Sequence, residues 1–271
     1  MKKKFLLLCI TALLLSNLFP ALVQADMGPK PSVTLFFDGL EETKTYYVTL
    51  LSKEEQIGPW SAGDNGKEDE ISRFFSKYED ADGFYYLNYH EQVKDNEFSW
   101  TYYPPNVFKI AVYCPEDSSF LVSEIIEKEA FEAYYRVSYS SSVLEVKEES
   151  HMERDLLHGL LRAFITIVVE LALAVLFGYR EKKQILIILF TNLFTQVVLN
   201  LFLSLTNYYM GLLAWVMMFF VGELAVLAIE ELIYMLSFRK VKKGKLFLYA
   251  LLANFLSALL SFYSALSYFI E

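Results

Sequence analysis

The sequence predicts a mixed fold: an extracytoplasmic β-sandwich-like domain with one inserted helix, followed by an all-α four-helix transmembrane bundle. Three observations predict it. The 271 residues are 55% hydrophobic with a mean hydropathy of +0.31, too apolar for an ordinary soluble domain. Charge is divided, with 27 acidic and 12 basic side chains from Asp26 to Asp155 but 6 and 9 from Leu156 to Glu271. Period-2 alternation fills the acidic half, whereas runs of about 20 apolar residues fill the other. The acidic half excludes a nucleic-acid partner, which needs a basic surface.

Residues 1–25 read as a signal peptide. Lys2, Lys3 and Lys4 precede an apolar stretch, and Val23 and Ala25 suit the −3 and −1 positions of a cleavage site. An uncleaved anchor helix is the alternative. Both readings place the segment after Asp26 outside the cytoplasm.

Residues 26–150 read as the extracytoplasmic β-rich domain. SVTLFF, TYYVTLL, VFKIAVYC and AFEAYYRVSYS alternate apolar side chains between two faces, as strands do. EDEISRFFSKY instead sets Ile71, Phe74, Phe75 and Tyr78 on one helical stripe. Asp80, Asp82 and Gly83 match half of a calcium loop, but the ligand frame is missing, so no metal is expected. Trp100, Tyr102 and Tyr103 beside Pro104 and Pro105 are a candidate outer binding platform for a sugar or peptide. The alternative is that these aromatics close a sandwich edge. Cys114 is alone after the leader and reads as a buried small hydrophobe.

Residues 151–271 form the transmembrane part, with helices expected at about 157–178, 184–205, 211–236 and 246–270. The turns at 179–183 and 238–245 are basic, and TNYY between the middle helices is uncharged. Basic turns stay in the cytoplasm, so residues 26–156 and the C-terminal Glu271 face outside.

Polar residues interrupt these runs. Glu170 precedes Arg180 by ten residues, Glu230 precedes Arg239 by nine, Asn192 follows Lys183 by nine and Asn254 follows Lys245 by nine. At 1.5 Å per residue all four lie roughly 13–15 Å from the inner charges. Gln196 shares a face with Asn192, and Glu223 shares one with Glu230. Glu231 lies about 100° around the helix and belongs to a second contact. Lipid cannot satisfy such groups, so the expected arrangement faces Glu170, Asn192, Gln196, Glu223, Glu230 and Asn254 inward as one cluster. Arg162 lies eight residues before Glu170, too far to pair with it directly. Both hairpins run Glu, basic turn, Asn, which suits a parallel repeat but also any two hairpins with basic inner turns.

Enzyme chemistry finds little support. EELIYM is similar to the Glu-Glu start of the CAAX-processing intramembrane proteases, yet Met235 occupies the arginine position and no histidine follows His158. No cofactor motif is present. ADMGPKPSV, YYVTLLS, DGFYYL, YYPPNVFKIAVYCPE and TNLFTQVVLN resemble a group of uncharacterised multi-pass membrane proteins of Gram-positive bacteria, with a signal peptide and an extracytoplasmic β-rich domain. The resemblance covers nearly the whole chain. It implies the architecture, but neither an activity nor an oligomeric state.

Three functions fit. The first is extracytoplasmic binding or sensing of a protein or cell-envelope ligand, or a structural role at the envelope, with the lipid bilayer as second partner. The second is a small transporter or proton-coupled channel using Glu170, Glu223 and Glu230. An intramembrane hydrolase is the weakest of the three.

Overall fold

A computed structural model describes residues 29–54, 69–140, 143–150 and 152–270. The leader, most of GDNGKEDE, His151 and Glu271 lie outside the described residues.

Two sheets build the N-terminal region. The first has the order β10 (Leu144–Glu148), β9 (Glu132–Tyr139), β1 (Ser32–Asp38), β5 (Glu97–Trp100). Its β1–β9 pairing is parallel and the other two are antiparallel. The second has the order β3 (Tyr85–Tyr86), β2 (Tyr47–Ser52), β6 (Val107–Cys114), β7 (Ser119–Val122). Short β4 (Glu91–Gln92) pairs with β2, and β8 (Ile126–Glu127) with β6.

The strand alternation decides which side chains meet. Val33, Leu35, Phe37, Trp100 and Val137 of the first sheet share one buried cluster with Val48, Leu50, Phe108, Ile110 and Val112 of the second. Each contributes roughly 1.5–3 kcal/mol by leaving water. The opposite face of the second sheet is also covered. Helix α1 (Glu70–Ser76) lies there, with Phe75 buried and Phe74 stacked on Tyr113 at 3.8 Å between ring centroids. Asp69 caps α1 by accepting from the Ser72 N–H at 2.6 Å. The predicted stripe of Ile71, Phe74, Phe75 and Tyr78 is the face α1 buries.

Three long apolar helices come next: α2 (Met152–Leu176), α3 (Lys182–Ser237) and α4 (Lys243–Ile270). The four expected helices thus appear as three elements. TNYY stays helical, so the runs at 184–205 and 211–236 merge into one 56-residue element. TNYY reads as a turn because it is polar, yet it holds no Gly or Pro to stop a helix. The break falls at Gly211, whose φ of 78° and ψ of 178° suit a residue without Cβ. Bonds from Asn192 to Tyr234 and from Thr195 to Glu230 join the two arms of α3. A Cβ on Gly222 would strike Leu199. The arms therefore lie alongside one another in opposite directions.

The sheets and helices meet at this break. The Phe131 N–H donates to the Tyr208 carbonyl at 2.7 Å, and Tyr208 packs against the sheet core. The Phe131 ring rests on Gly211, where a Cβ would come within 2.5 Å of it. Asn207 also donates to Asp155 at 3.1 Å.

Candidate functional site

The most distinctive polar site lies among the apolar helices. Their outward residues, such as Phe164, Phe194 and Leu232, are each about 60% exposed, as suits a lipid-facing surface. Their inward residues are not uniformly apolar. Glu170 of α2, Asn192 of the first α3 arm and Glu230 of the second arm are 0% exposed, and Asn254 of α4 is 4% exposed.

Hydrogen bonds assemble these groups. Glu230 accepts from Thr195 Oγ1 at 2.7 Å and from Asn254 Nδ2 at 2.9 Å. Glu170 accepts weakly from Ser257 Oγ at 3.4 Å, and its Oε2 has no hydrogen-bond partner. Tyr249 donates to the Glu170 backbone carbonyl at 3.2 Å. Asn192 donates to Tyr234 Oη at 3.1 Å. Thr166 and Ser261 join α2 to α4 nearby at 3.1 Å.

Not every predicted member belongs equally. Gln196 is buried, but the bond it receives comes from Asn200 rather than a carboxyl. Glu223 is half-buried and feels the charges of Glu230 and Arg162. Glu231 is half-exposed and stands apart from the hydrogen bonds that assemble the cluster. Asn200 escapes the sequence reading, although Asn192, Gln196 and Asn200 are spaced four apart on one helical face. Arg162 donates to Asn200 at 3.1 Å and lies over the Trp215 ring at 5.1 Å. This satisfies a cation that would otherwise be costly among apolar helices.

The outer platform is corrected in part. Trp100 is 0% exposed in the sheet core, with its indole N–H bonded to the Tyr102 carbonyl at 3.1 Å. It offers no ring face to a ligand. Its position on an alternating strand that faces the opposing sheet is the cause. Tyr103 is 50% exposed and packs edge-on against Tyr102 at 4.8 Å, with Lys30 within 6 Å of both ring centroids.

The half calcium loop has another use. Asp80 accepts from Lys109 at 2.9 Å, and Asp82 accepts from it at 2.6 Å. Burial alone would raise the Asp80 carboxyl, but Lys109 and the N–H groups of Phe84 and Asp82 outweigh it, so Asp80 titrates below its usual range. The acids that resembled metal ligands neutralise a buried lysine instead. No protein family, curated protein or solved structure matches the chain.

Proposed function

We propose that the chain is a four-span protein of the cell membrane whose β-rich region, outside the cytoplasm, binds a protein or envelope ligand and relays its presence to the helices. The basic turns at 179–183 and 238–245 support a cytoplasmic placement of that end. The length of α3 supports two crossings. A straight 56-residue helix would extend roughly 84 Å, far beyond a hydrocarbon core of about 30 Å.

The contact of Phe131 with Tyr208 and Gly211 carries the sensing reading. It ties the strand that begins at Glu132 to the break between the two α3 arms. Those arms bear Asn192, Thr195 and Glu230 face to face. A ligand that shifts the sheets would act on the spacing of the arms. Exposed Tyr103, with half-buried Tyr102 and Lys30 beside it, is the candidate ligand platform.

The test is co-sedimentation of the full chain, in lipid nanodiscs, with purified Gram-positive peptidoglycan. Binding by wild type that Tyr103→Ala weakens supports the reading. Equal sedimentation of empty nanodiscs removes peptidoglycan as the ligand. Single cysteines in a Cys9→Ser, Cys114→Ser background test the threading. Tyr209→Cys should label from outside in intact cells, and Lys243→Cys only after lysis.

A second reading, proton-coupled transport, is favoured by the Glu170–Glu230 cluster. Proton flux in proteoliposomes that Glu170→Gln abolishes supports it. Absence of wild-type flux removes it.

A further inference from the structure

One edge of the sandwich is open. β10 is the outermost strand of its sheet, and among the described residues its one ladder is with β9. The Ser140 N–H donates to the Val143 carbonyl at 3.2 Å, and the Glu149 N–H donates to the Tyr134 carbonyl at 2.8 Å. Val143 and Glu149 therefore bond toward β9. Backbone direction alternates along a strand, so the N–H and C=O groups of Leu144, Val146 and Glu148 point away from it. Beside this edge runs a groove of about 550 Å³ between β10 and β8. Ile125 and Val143 line it and are 49% and 53% exposed, the two large aliphatic side chains that the β-rich region exposes among the described residues.

Charge chooses the occupant. Glu124, Glu127, Glu145 and Glu148 line the groove against a single cation, Lys147. All four glutamates are exposed, and among the described residues no ion pair holds them. Opposite charges across a strand pair stabilise it and like charges oppose it, so the edge suits a basic strand and rejects an acidic one. Residues 55–68 of the chain itself, with Glu55, Asp64 and Glu68 against Lys67, have the wrong charge. A second copy has the wrong direction. β9 begins beside Phe131 on the Gly211 seat, and β10 ends at Glu148, shortly before α2 begins at Met152, so both strands have these ends toward the helices. Two copies of one edge pair symmetrically only when antiparallel, which would turn the second set of helices away from the bilayer.

We propose that the β10 edge docks an extended basic segment of a partner protein, added to the four-stranded sheet as a further strand. Its backbone completes the open bonds of Leu144, Val146 and Glu148. Its apolar side chains cover Ile125 and Val143, and its basic ones meet the glutamates. The inference deepens the reading of the outer region by naming a class of partner, and rests on that reading for placing β10 outside the bilayer. The site is separate from Tyr103.

The test is fluorescence anisotropy of a labelled peptide of alternating Lys and Val, added to the full chain in phosphatidylcholine nanodiscs. The expected result is saturable binding that empty nanodiscs lack. The same peptide with every amide N-methylated cannot complete the ladder and should bind about ten-fold more weakly or worse. A peptide of alternating Glu and Val should not bind. Val146→Pro removes an outward N–H and no bond to β9, so it should abolish binding while the protein still folds. Glu127→Gln with Glu148→Gln should weaken binding several-fold, and Tyr103→Ala should leave it unchanged. If Val146→Pro does not fold, the N-methylated peptide on wild type decides. Absence of saturable binding to wild type overturns the proposal, as does equal binding of the N-methylated or the Glu–Val peptide. Dimers that Val146→Pro dissolves in sedimentation would give the edge to a second copy and overturn it too. Nanodiscs expose both membrane faces, so peptide binding is read whichever way the chain is threaded. Peptidoglycan binding without peptide binding keeps the Tyr103 platform and removes this site.

Discussion

Lys109 in the sheets and Glu170 in the helices are both ionisable residues withdrawn from solvent, and their surroundings answer that burial differently. Lys109 meets two carboxylates within 3 Å, and Asp80 gains two backbone N–H bonds besides. Glu170 meets one distant hydroxyl, that of Ser257 at 3.4 Å, and among the described residues no salt bridge reaches it. All of the buried side-chain polar atoms without partners, among the described residues, lie in the helical part or its first basic turn. The sheets use buried charge to fasten a loop onto β6. The helices hold polar groups whose bonding is incomplete.

The largest predicted effect tests the closed side of this contrast. Lys109→Met leaves Asp80 buried beside an apolar chain and should destabilise the β-rich region by about 3–5 kcal/mol. Thermal melting of the full chain at neutral pH, followed by tryptophan fluorescence, measures it. If the variant melts with wild type, the ion pair contributes nothing and the contrast fails.

The seam between the regions comes next. Gly211→Ala places a methyl against the Phe131 ring at a φ of 78°. It should cost roughly 1–3 kcal/mol and loosen the contact between sheets and helices. Faster proteolysis near residue 151 would register that loosening. An unchanged digest would mean the two regions are not held together by this seat.

Acid sharpens the comparison further. The Asp80 carboxyl is depressed in the fold, so its stabilising contribution is present above the ordinary carboxylate range. It is lost as pH falls through the folded value. Wild type should therefore melt progressively lower below about pH 4. Asp80 of Lys109→Met becomes neutral in acid and escapes its penalty, so the gap between the two proteins should narrow. A gap that widens on acidification would refute the pairing.

The smallest effect is expected at Tyr103. Its ring is half exposed, and Tyr103→Ala removes one surface contact with Lys30. Melting should change by less than about 1 kcal/mol. A larger loss would make Tyr103 a structural residue rather than part of a ligand surface.

Local periodicity explains which features are legible in the sequence. β2 and β6 alternate along their length, and the α1 stripe repeats at helical spacing, so both can be read directly. Glu170, Asn192, Glu230 and Asn254 are legible as a cluster because equal spacing from basic turns sets equal depth on helices of fixed rise. Trp100 is not, because aromatics beside prolines look alike at a surface and at a sheet edge. Their burial depends on the opposing sheet. Continuity of α3 through TNYY is hidden as well, because polar residues do not stop a helix unless a backbone break is also supplied.

Order along the chain was enough to set the division into an acidic, alternating half and an apolar, helical half, and the common depth of four polar residues. Composition and spacing suffice for both, since they depend on neighbours in sequence. Three further features emerged only on folding: which acceptors stay unpaired, the capture by Lys109 of the acids resembling metal ligands, and the seat of Phe131 on Gly211. Each depends on groups far apart in sequence whose meeting is set by packing, and packing is not encoded in any local period.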